Sequence, residues 1–459
     1  MDRRGERMGG WRGAWIALLV VAAAATGCVP ATTASSRAGA DENDLAPPTR
    51  EVLPNGMRLI MQDHRAGDIV AIYLWVGVGT RDEAPDQLGF AHFQEHMLFK
   101  GTDRWGPGYV DRTVEGLGGR SNAVTSFDYT TFYLTLPSEA LEMGVELLAD
   151  MAFRSTFDPE EIGREREVIF EEANIEQDNP RTAIIRQIHT LVFGDHPYGR
   201  SLLGGRETLS AATRERLRGF YKRHYTPENM SLVVVGPVKA ADVRKVVQRT
   251  FGQVPSASYR RTPAPPPGPL TGMVRRTAQR PEQQAFLALG WLAPRSDDPE
   301  GYALDLLVTI LADSESSRLA QSLRDRDRLV TSIDMSYAAL QGGGIVTIRA
   351  ELEAGDIEKV ERMILEEIAR IQDQGVTEEE RRLAVTKAES EHAFDIETSE
   401  GLANAYGIAE TIWTLEEELR YVARLGQITR EQIQEAARRI LSRTSYARLG
   451  FVPRKETRQ

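Results

Sequence analysis

Apolar residues recur with two different periods along the chain from residue 49 onward. The run Ile69 to Val76 is apolar at nearly every position, as in a buried strand, and a shorter apolar run from Met57 to Met61 follows the turn signal Pro54-Asn55-Gly56. The run Thr131 to Leu136 alternates polar and apolar residues, which indicates another strand. Segments with helical spacing lie between the strands, so the pattern predicts an α+β body.

The body divides into two halves that resemble each other. A proline-rich stretch at 255–271 is typical of a semi-rigid linker between a first lobe at 49–254 and a second lobe at 272–455. Gly89-Phe90-Ala91-His92 has a counterpart in Gly301-Tyr302-Ala303-Leu304, and an apolar strand ends each half at a similar offset. We therefore expect two homologous lobes, each a mainly antiparallel sheet packed with helices, facing each other across a cleft.

Residues 1–27 have the layout of a signal peptide. Several arginines precede an uncharged run at 14–25, which is shorter than the roughly 20 residues that a permanent membrane helix needs. The single cysteine, Cys28, follows this run in a context that resembles the lipobox of bacterial lipoproteins, although Ala25 stands where Leu is usual and leaves a non-lipidated site open. We expect a lipid on Cys28, a solvated tether over 28–48, and a place in the bacterial cell envelope, on the periplasmic face of the outer membrane.

Composition narrows the chemistry of the folded body. The chain has 459 residues and a formal net charge of −11, which argues against nucleic acid as a partner because phosphate binders present a basic surface. One cysteine excludes an intramolecular disulfide and any site built from several cysteines. A metal site in this chain has to use His, Asp and Glu.

The segment His92-Phe93-Gln94-Glu95-His96 is the strongest chemical signal. Positions i and i+4 of a helix lie one above the other, so His92 and His96 can reach one ion while Glu95 projects beside it. The order His-x-x-Glu-His is an inverted metalloprotease motif. Under the internal repeat, the matching positions of the second half are apolar, which predicts that this half has kept the helix for packing alone.

A catalytic zinc ion needs a third protein ligand, and an acidic stretch at 160–174 offers candidates. Glu165 and Glu172 are nearly two helical turns apart and share a face. Spacing alone does not choose Glu172 over Glu171 or Glu176.

The motif and its surroundings resemble the pitrilysin, insulysin and mitochondrial-processing-peptidase family of inverted zinc metallopeptidases, in the short two-lobed bacterial form. The resemblance extends over Gly118-Gly119, His196-Pro197-Tyr198 and the run Tyr225 to Met230. It implies one zinc ion per chain, bound by His92, His96 and Glu172, with Glu95 as general base and Glu165 as a supporting acidic residue. The activity it implies is that of a zinc metalloendopeptidase.

The same resemblance implies how a substrate and a partner bind. Asn122 and Ala123 match the edge strand on which the family binds peptides or unfolded segments in extended form. Arg324 matches a substrate-binding arginine, but Thr331 stands where the family often has a tyrosine. We therefore expect either a homologous partner subunit that lacks the zinc motif and supplies an Arg/Tyr pair, or a homodimer.

Two other functions are compatible with parts of the sequence. One is a non-catalytic structural or chaperone-like subunit with the same two-lobed fold, although all four motif residues are present. The other is a dinucleotide enzyme, prompted by Gly77-Val78-Gly79 after a strand, but Asp82 stands where the third glycine belongs.

Overall fold

The computed structural model describes residues 47–454, which form two sheets with helices packed on both faces of each. Cys28, the signal peptide and nearly all of the tether lie outside the described residues. Within 47–454, none of the helices combines the length and the apolar composition needed to cross a membrane.

The strands of the first sheet are β1 Thr49–Val52, β2 Arg58–Asp63, β3 Ile69–Val76, β4 Arg120–Thr125, β5 Thr130–Pro137 and β6 Met230–Gly236. Those of the second sheet are β7 Val274–Arg280, β8 Ala285–Ala293, β9 Val330–Ala338, β10 Gly344–Leu352 and β11 Ala447–Pro453. The helices are α1 Phe90–Leu98, α2 Tyr109–Gly116, α3 Leu141–Arg154, α4 Pro159–Asp178, α5 Pro180–Phe193, α6 Arg206–Ser210, α7 Arg214–His224, α8 Ala240–Arg249, α9 Glu300–Leu311, α10 Ile357–Gln374, α11 Glu378–Asp395, α12 Ser399–Ile412, α13 Leu415–Glu418, α14 Tyr421–Gln427 and α15 Arg430–Ile440.

The two sheets repeat one topology, which confirms the predicted α+β fold with two homologous, mainly antiparallel sheets. The first has the strand order β1-β2-β6-β3-β5-β4 and the second β7-β11-β8-β10-β9. In each, only the pair β2–β6 or β7–β11 is parallel. Because β3 lies between two antiparallel neighbours and only one pair of strands is parallel, the sheet differs from the mostly parallel sheet of a dinucleotide-binding fold.

Each sheet is covered on one face by a helix from the other half of the chain. The outer face of β3 carries Tyr73 and Trp75, which pack against Leu402 and Tyr406 of α12. In return α5 packs on β8 and β11, with Ile188 in the shared core. The two halves therefore complete each other's cores, a feature that the linear pattern of the sequence did not predict.

The proline-rich stretch is bound to the body rather than free. No regular helix or strand occurs between Gln253 and Val274 within this described stretch. Arg261 donates to Asp82 at 2.7 Å and to the carbonyl oxygen of Asp128, while the Pro265 carbonyl oxygen lies 2.9 Å from His196 Nε2. The lobe boundaries at 254 and 272 stay predictions.

Candidate metal centre

The helix α1 places both histidines, and its start is fixed from a distance. Gly89 at the N-cap has φ of +92° and no side chain to cap the helix. The carboxylate of Glu83 takes that role, because it accepts hydrogen bonds from the backbone N–H groups of Gly89 at 2.9 Å and Ala91 at 2.8 Å. Sequence reasoning missed Glu83, although the glycine N-cap was the signal that another side chain must satisfy these donors.

The second half keeps the equivalent helix without the polar side chains, as the internal repeat predicted. Helix α9 follows β8 as α1 follows β3, and Leu304, Leu307 and Val308 are buried in the second core. Only the first half can therefore use this helix for chemistry.

The helix α4 begins and ends at residues that suit those positions. Asp158 is its N-cap and accepts from the N–H groups of Glu160 and Glu161, and Pro159 fits the first turn because it has no N–H to satisfy. Asn179 ends the helix and caps α5, which begins at Pro180. Over the two turns between, Glu165 and Glu172 face α1.

Three ligand atoms converge between the two helices. Glu172 Oε2 lies 3.7 Å from His92 Nε2 and 3.5 Å from His96 Nε2, and the three atoms all lie within 4.8 Å of one another. Bonds of 2.0–2.1 Å to a tetrahedral zinc ion place neighbouring ligands about 3.3 Å apart, so these distances fit such an ion. Glu172 Oε2 is buried without a hydrogen-bond partner among residues 47–454, which leaves its lone pairs available.

The structure separates Glu172 from the other two candidates. Glu171 is exposed and accepts a hydrogen bond from Asn174, and Glu176 is buried in an ion pair with Arg186 at 2.8 Å. Glu172 is therefore the carboxylate that the geometry selects for the metal.

Glu165 and Lys100 orient His96. Glu165 Oε2 lies 2.9 Å from His96 Nδ1, and Glu165 Oε1 lies 3.0 Å from Lys100 Nζ. When Nδ1 carries the proton and donates a hydrogen bond to Glu165, Nε2 has a free lone pair that faces the metal site. Burial alone would raise the pKa of Glu165, but His96 and Lys100 hold this pKa below its usual value. Glu165 thus acts through His96, and no motif in the sequence pointed to Lys100.

The two histidines hold unequal charge when no metal is bound. Burial, with the neighbouring His96, lowers the pKa of His92 well below its usual value. Burial also opposes charge on His96, but Glu165 and Glu172 outweigh it and raise the pKa of His96 to about 9. His96 would have to lose the proton at Nε2 to bind a metal ion here, since a coordinating imidazole must be neutral at the ligand atom.

Glu95 lies on the same helix, half-buried beside the ligand set. Burial raises the pKa of its carboxyl group above the usual range, against smaller opposing effects of His96 and Thr125. A carboxylate whose pKa is shifted towards neutrality is suited to accept a proton and return it. Its Oε2 is buried and has no hydrogen-bond partner within the described part of the chain.

The predicted substrate residues lie in different halves. Asn122 and Ala123 are on β4, the outer strand of the first sheet, which pairs with β5 and contacts α1. Arg324 lies on a π-helical segment, Ala320–Arg326, where it pairs with Glu315 and Asp325, each at 2.7 Å. Its role in substrate binding stays a prediction.

The substitution Glu165→Gln tests the orienting contact. The amide carries no charge to hold the proton on His96 Nδ1, and loss of such an outer contact typically weakens metal binding by about 10–100-fold. We expect zinc affinity to fall by this amount in competition titrations with a chromophoric chelator. An unchanged affinity would show that Glu165 does not support His96.

Two family profiles and several relatives match the sequence of this chain. The family profile described as "Insulinase (Peptidase family M16)" matches residues 58–206, and that described as "Peptidase M16 inactive domain" matches residues 211–387. An uncharacterized zinc protease of Mycobacterium leprae is 30% identical over 86% of this chain and 89% of its own length. A probable mitochondrial-processing peptidase subunit beta of Arabidopsis thaliana is 31% identical over 58% of this chain and 51% of its own length.

Solved structures share the fold. The crystal structure of a protease from Helicobacter pylori superposes with a TM-score of 0.85 at 22% identity, over 89% of this chain and 100% of that one. With the family profiles and the M. leprae relative, this similarity leads to one conclusion: the chain belongs to the insulinase family of peptidases, M16, as its motif predicted.

Proposed function

We propose that the protein is a zinc-dependent endopeptidase that hydrolyses peptides or unfolded protein segments bound in extended form. The observation that carries the proposal is the convergence of two imidazole nitrogens and one carboxylate oxygen beside the half-buried Glu95. Two histidines and one carboxylate are a known set for hydrolytic zinc, with one position open to water and substrate. The zinc-protease names of the relatives support this activity at the level of the family.

The protein's own residues supply proton transfer and orientation. When bound, zinc acts as a Lewis acid that polarises the scissile carbonyl group and acidifies a water molecule. Glu95 would accept a proton from the attacking water and deliver it to the leaving amine as the C–N bond breaks. Glu165 would keep His96 in the tautomer whose Nε2 faces the metal, and Lys100 would hold Glu165 in place.

The substrate would extend β4. An outer strand offers unpaired backbone groups to an extended peptide, a mode of binding that depends little on sequence. Asn122 and Ala123 would lie beside that peptide. The second half reaches this strand, since Arg120 of β4 pairs with Glu400 of α12 at 3.2 Å, which supports a binding site between the lobes.

We also propose a partner and a location. Arg324 is engaged by two acidic side chains of its own lobe, and Thr331 replaces the expected tyrosine, so a homologous subunit or a second copy would supply the missing Arg/Tyr pair. Lipidation of Cys28 would anchor the enzyme in the cell envelope.

Metal content and chelation test the activity. We expect the purified chain to hold about one zinc ion, and a chelator such as 1,10-phenanthroline to remove both the ion and the cleavage of a random peptide library, with recovery on adding zinc.

Full activity of the isolated monomer would contradict the need for a partner. A zinc-loaded protein that cleaves nothing, alone or with candidate partners, would favour the structural or chaperone-like alternative.

A further inference from the structure

Two exposed aliphatic side chains lie on the helix that carries the metal carboxylate. Val168 is 44% exposed and Ile175 is 60% exposed, although most large apolar side chains of the described residues are buried. Both belong to α4. We call this pair the α4 ledge.

The α4 ledge lies next to the metal-site carboxylates along the helix. Glu165, Val168, Glu172 and Ile175 are spaced by three, four and three residues, so they form one stripe along the helix. Within this stripe, the side chain of Glu172 points towards His92, and that of Glu165 points towards His96. One aliphatic side chain therefore lies a helical turn before the metal carboxylate, and the other lies a turn after it.

Packing of the first lobe does not account for the α4 ledge. On the buried side of α4, Ile162, Ile169 and Phe170 pack in the core, and this cluster does not include Val168 or Ile175. Valine and isoleucine have lower helix propensity than alanine or leucine and gain nothing from exposure to water, so helix stability does not favour them at these positions. Their exposed surface is available to a molecule that approaches the metal.

We infer that the α4 ledge is a specificity site, which binds an apolar side chain of the substrate within about two residues of the scissile bond. One helical turn of about four residues spans about 6 Å, and an extended peptide covers that distance in about two residues at about 3.3 Å each. The occupant is the peptide because the ledge adjoins the carboxylate that the scissile bond must approach. The inference rests on the proposed peptidase function and names the class of substrate.

Binding tests the α4 ledge without requiring turnover. The background is a Glu95→Gln variant loaded with zinc. The probes are fluorescein-labelled decapeptides in which a single Leu is moved through an otherwise Ser/Ala sequence, with the Leu-free parent as reference. We expect the best Leu peptide to bind more tightly than the parent, and the double substitution Val168→Ser/Ile175→Ser to weaken its binding about tenfold while leaving the parent unchanged.

The second half offers a matched control. Leu383 on α11 is 55% exposed and lies outside the proposed site, so Leu383→Ser should leave both affinities as they were. Zinc content and thermal unfolding, expected to match the background protein, would show that the double variant is folded.

The outcomes separate the inference from the function. Leu-dependent binding that is lost with the ledge supports the inference even if the protein with Glu95 intact cleaves nothing, in which case the proposed function alone fails. Equal binding of Leu and parent peptides, or a Leu preference that survives the double substitution, overturns the ledge while cleavage by the protein with Glu95 still supports the peptidase. A change of oligomeric state without a change of peptide preference would assign the ledge to a subunit contact and would also overturn it.

Discussion

Replacing Glu95 by Gln is expected to abolish measurable peptide hydrolysis while zinc stays bound. The amide keeps the size of the side chain but cannot accept the proton of the attacking water. General acid–base groups contribute about 10²–10⁴-fold to rate, and Glu95 would serve both the attack and the departure of the amine, so we expect a loss at the upper end of this range. The measurement is kcat on a quenched-fluorescence peptide, with zinc per chain determined on the same sample.

The matched control for this change is Glu171→Gln, on the exposed face of α4. It makes the same chemical change one residue from the metal carboxylate, but the side chain it removes contacts Asn174 rather than the metal site. We expect it to retain the rate within about twofold, since surface substitutions rarely matter. Equal rates for the Glu95→Gln variant and the unsubstituted protein would contradict the assigned base, and parallel loss of zinc would make Glu95 a residue that holds the site together.

Local pattern was sufficient for several strands and for the metal-binding helix. The apolar run Ile69 to Val76 became β3 over the same residues, because a strand buried on both faces leaves no polar positions. The run from Met57 became β2, which begins at Arg58. His92, Glu95 and His96 could be assigned because helical geometry alone brings positions i and i+4 together.

Contacts between distant parts of the chain could not be predicted from the sequence pattern. Spacing on α4 placed Glu171, Glu172 and Glu176 within one and a half turns, and only the packing of α4 on α1 and α5 decides which of them faces the histidines. The exchange of α5 and α12 between the halves depends on contacts between distant parts of the chain. A single sequence does not encode such contacts in its periodicity, because an apolar helix face fits either sheet equally well.

Removing one metal ligand is expected to have a different signature from removing the base. In the His96→Ala variant, zinc content should fall from about one per chain towards zero after dialysis, and hydrolysis should fall with it. Structural zinc sites bind with about 10–16 kcal/mol over four ligands, so one ligand accounts for about 3 kcal/mol, or at least a hundredfold in affinity.

The two variants together test the assignment of roles around the metal. Saturating zinc should restore part of the activity of His96→Ala, because added metal can offset weaker binding, whereas no concentration of zinc should restore Glu95→Gln. Retention of full zinc content by His96→Ala would contradict the ligand set and with it the convergence of α1 and α4 on one ion. If zinc rescued Glu95→Gln instead, the carboxylate of Glu95 would belong to metal binding, and the proton would have to pass through another group at this site.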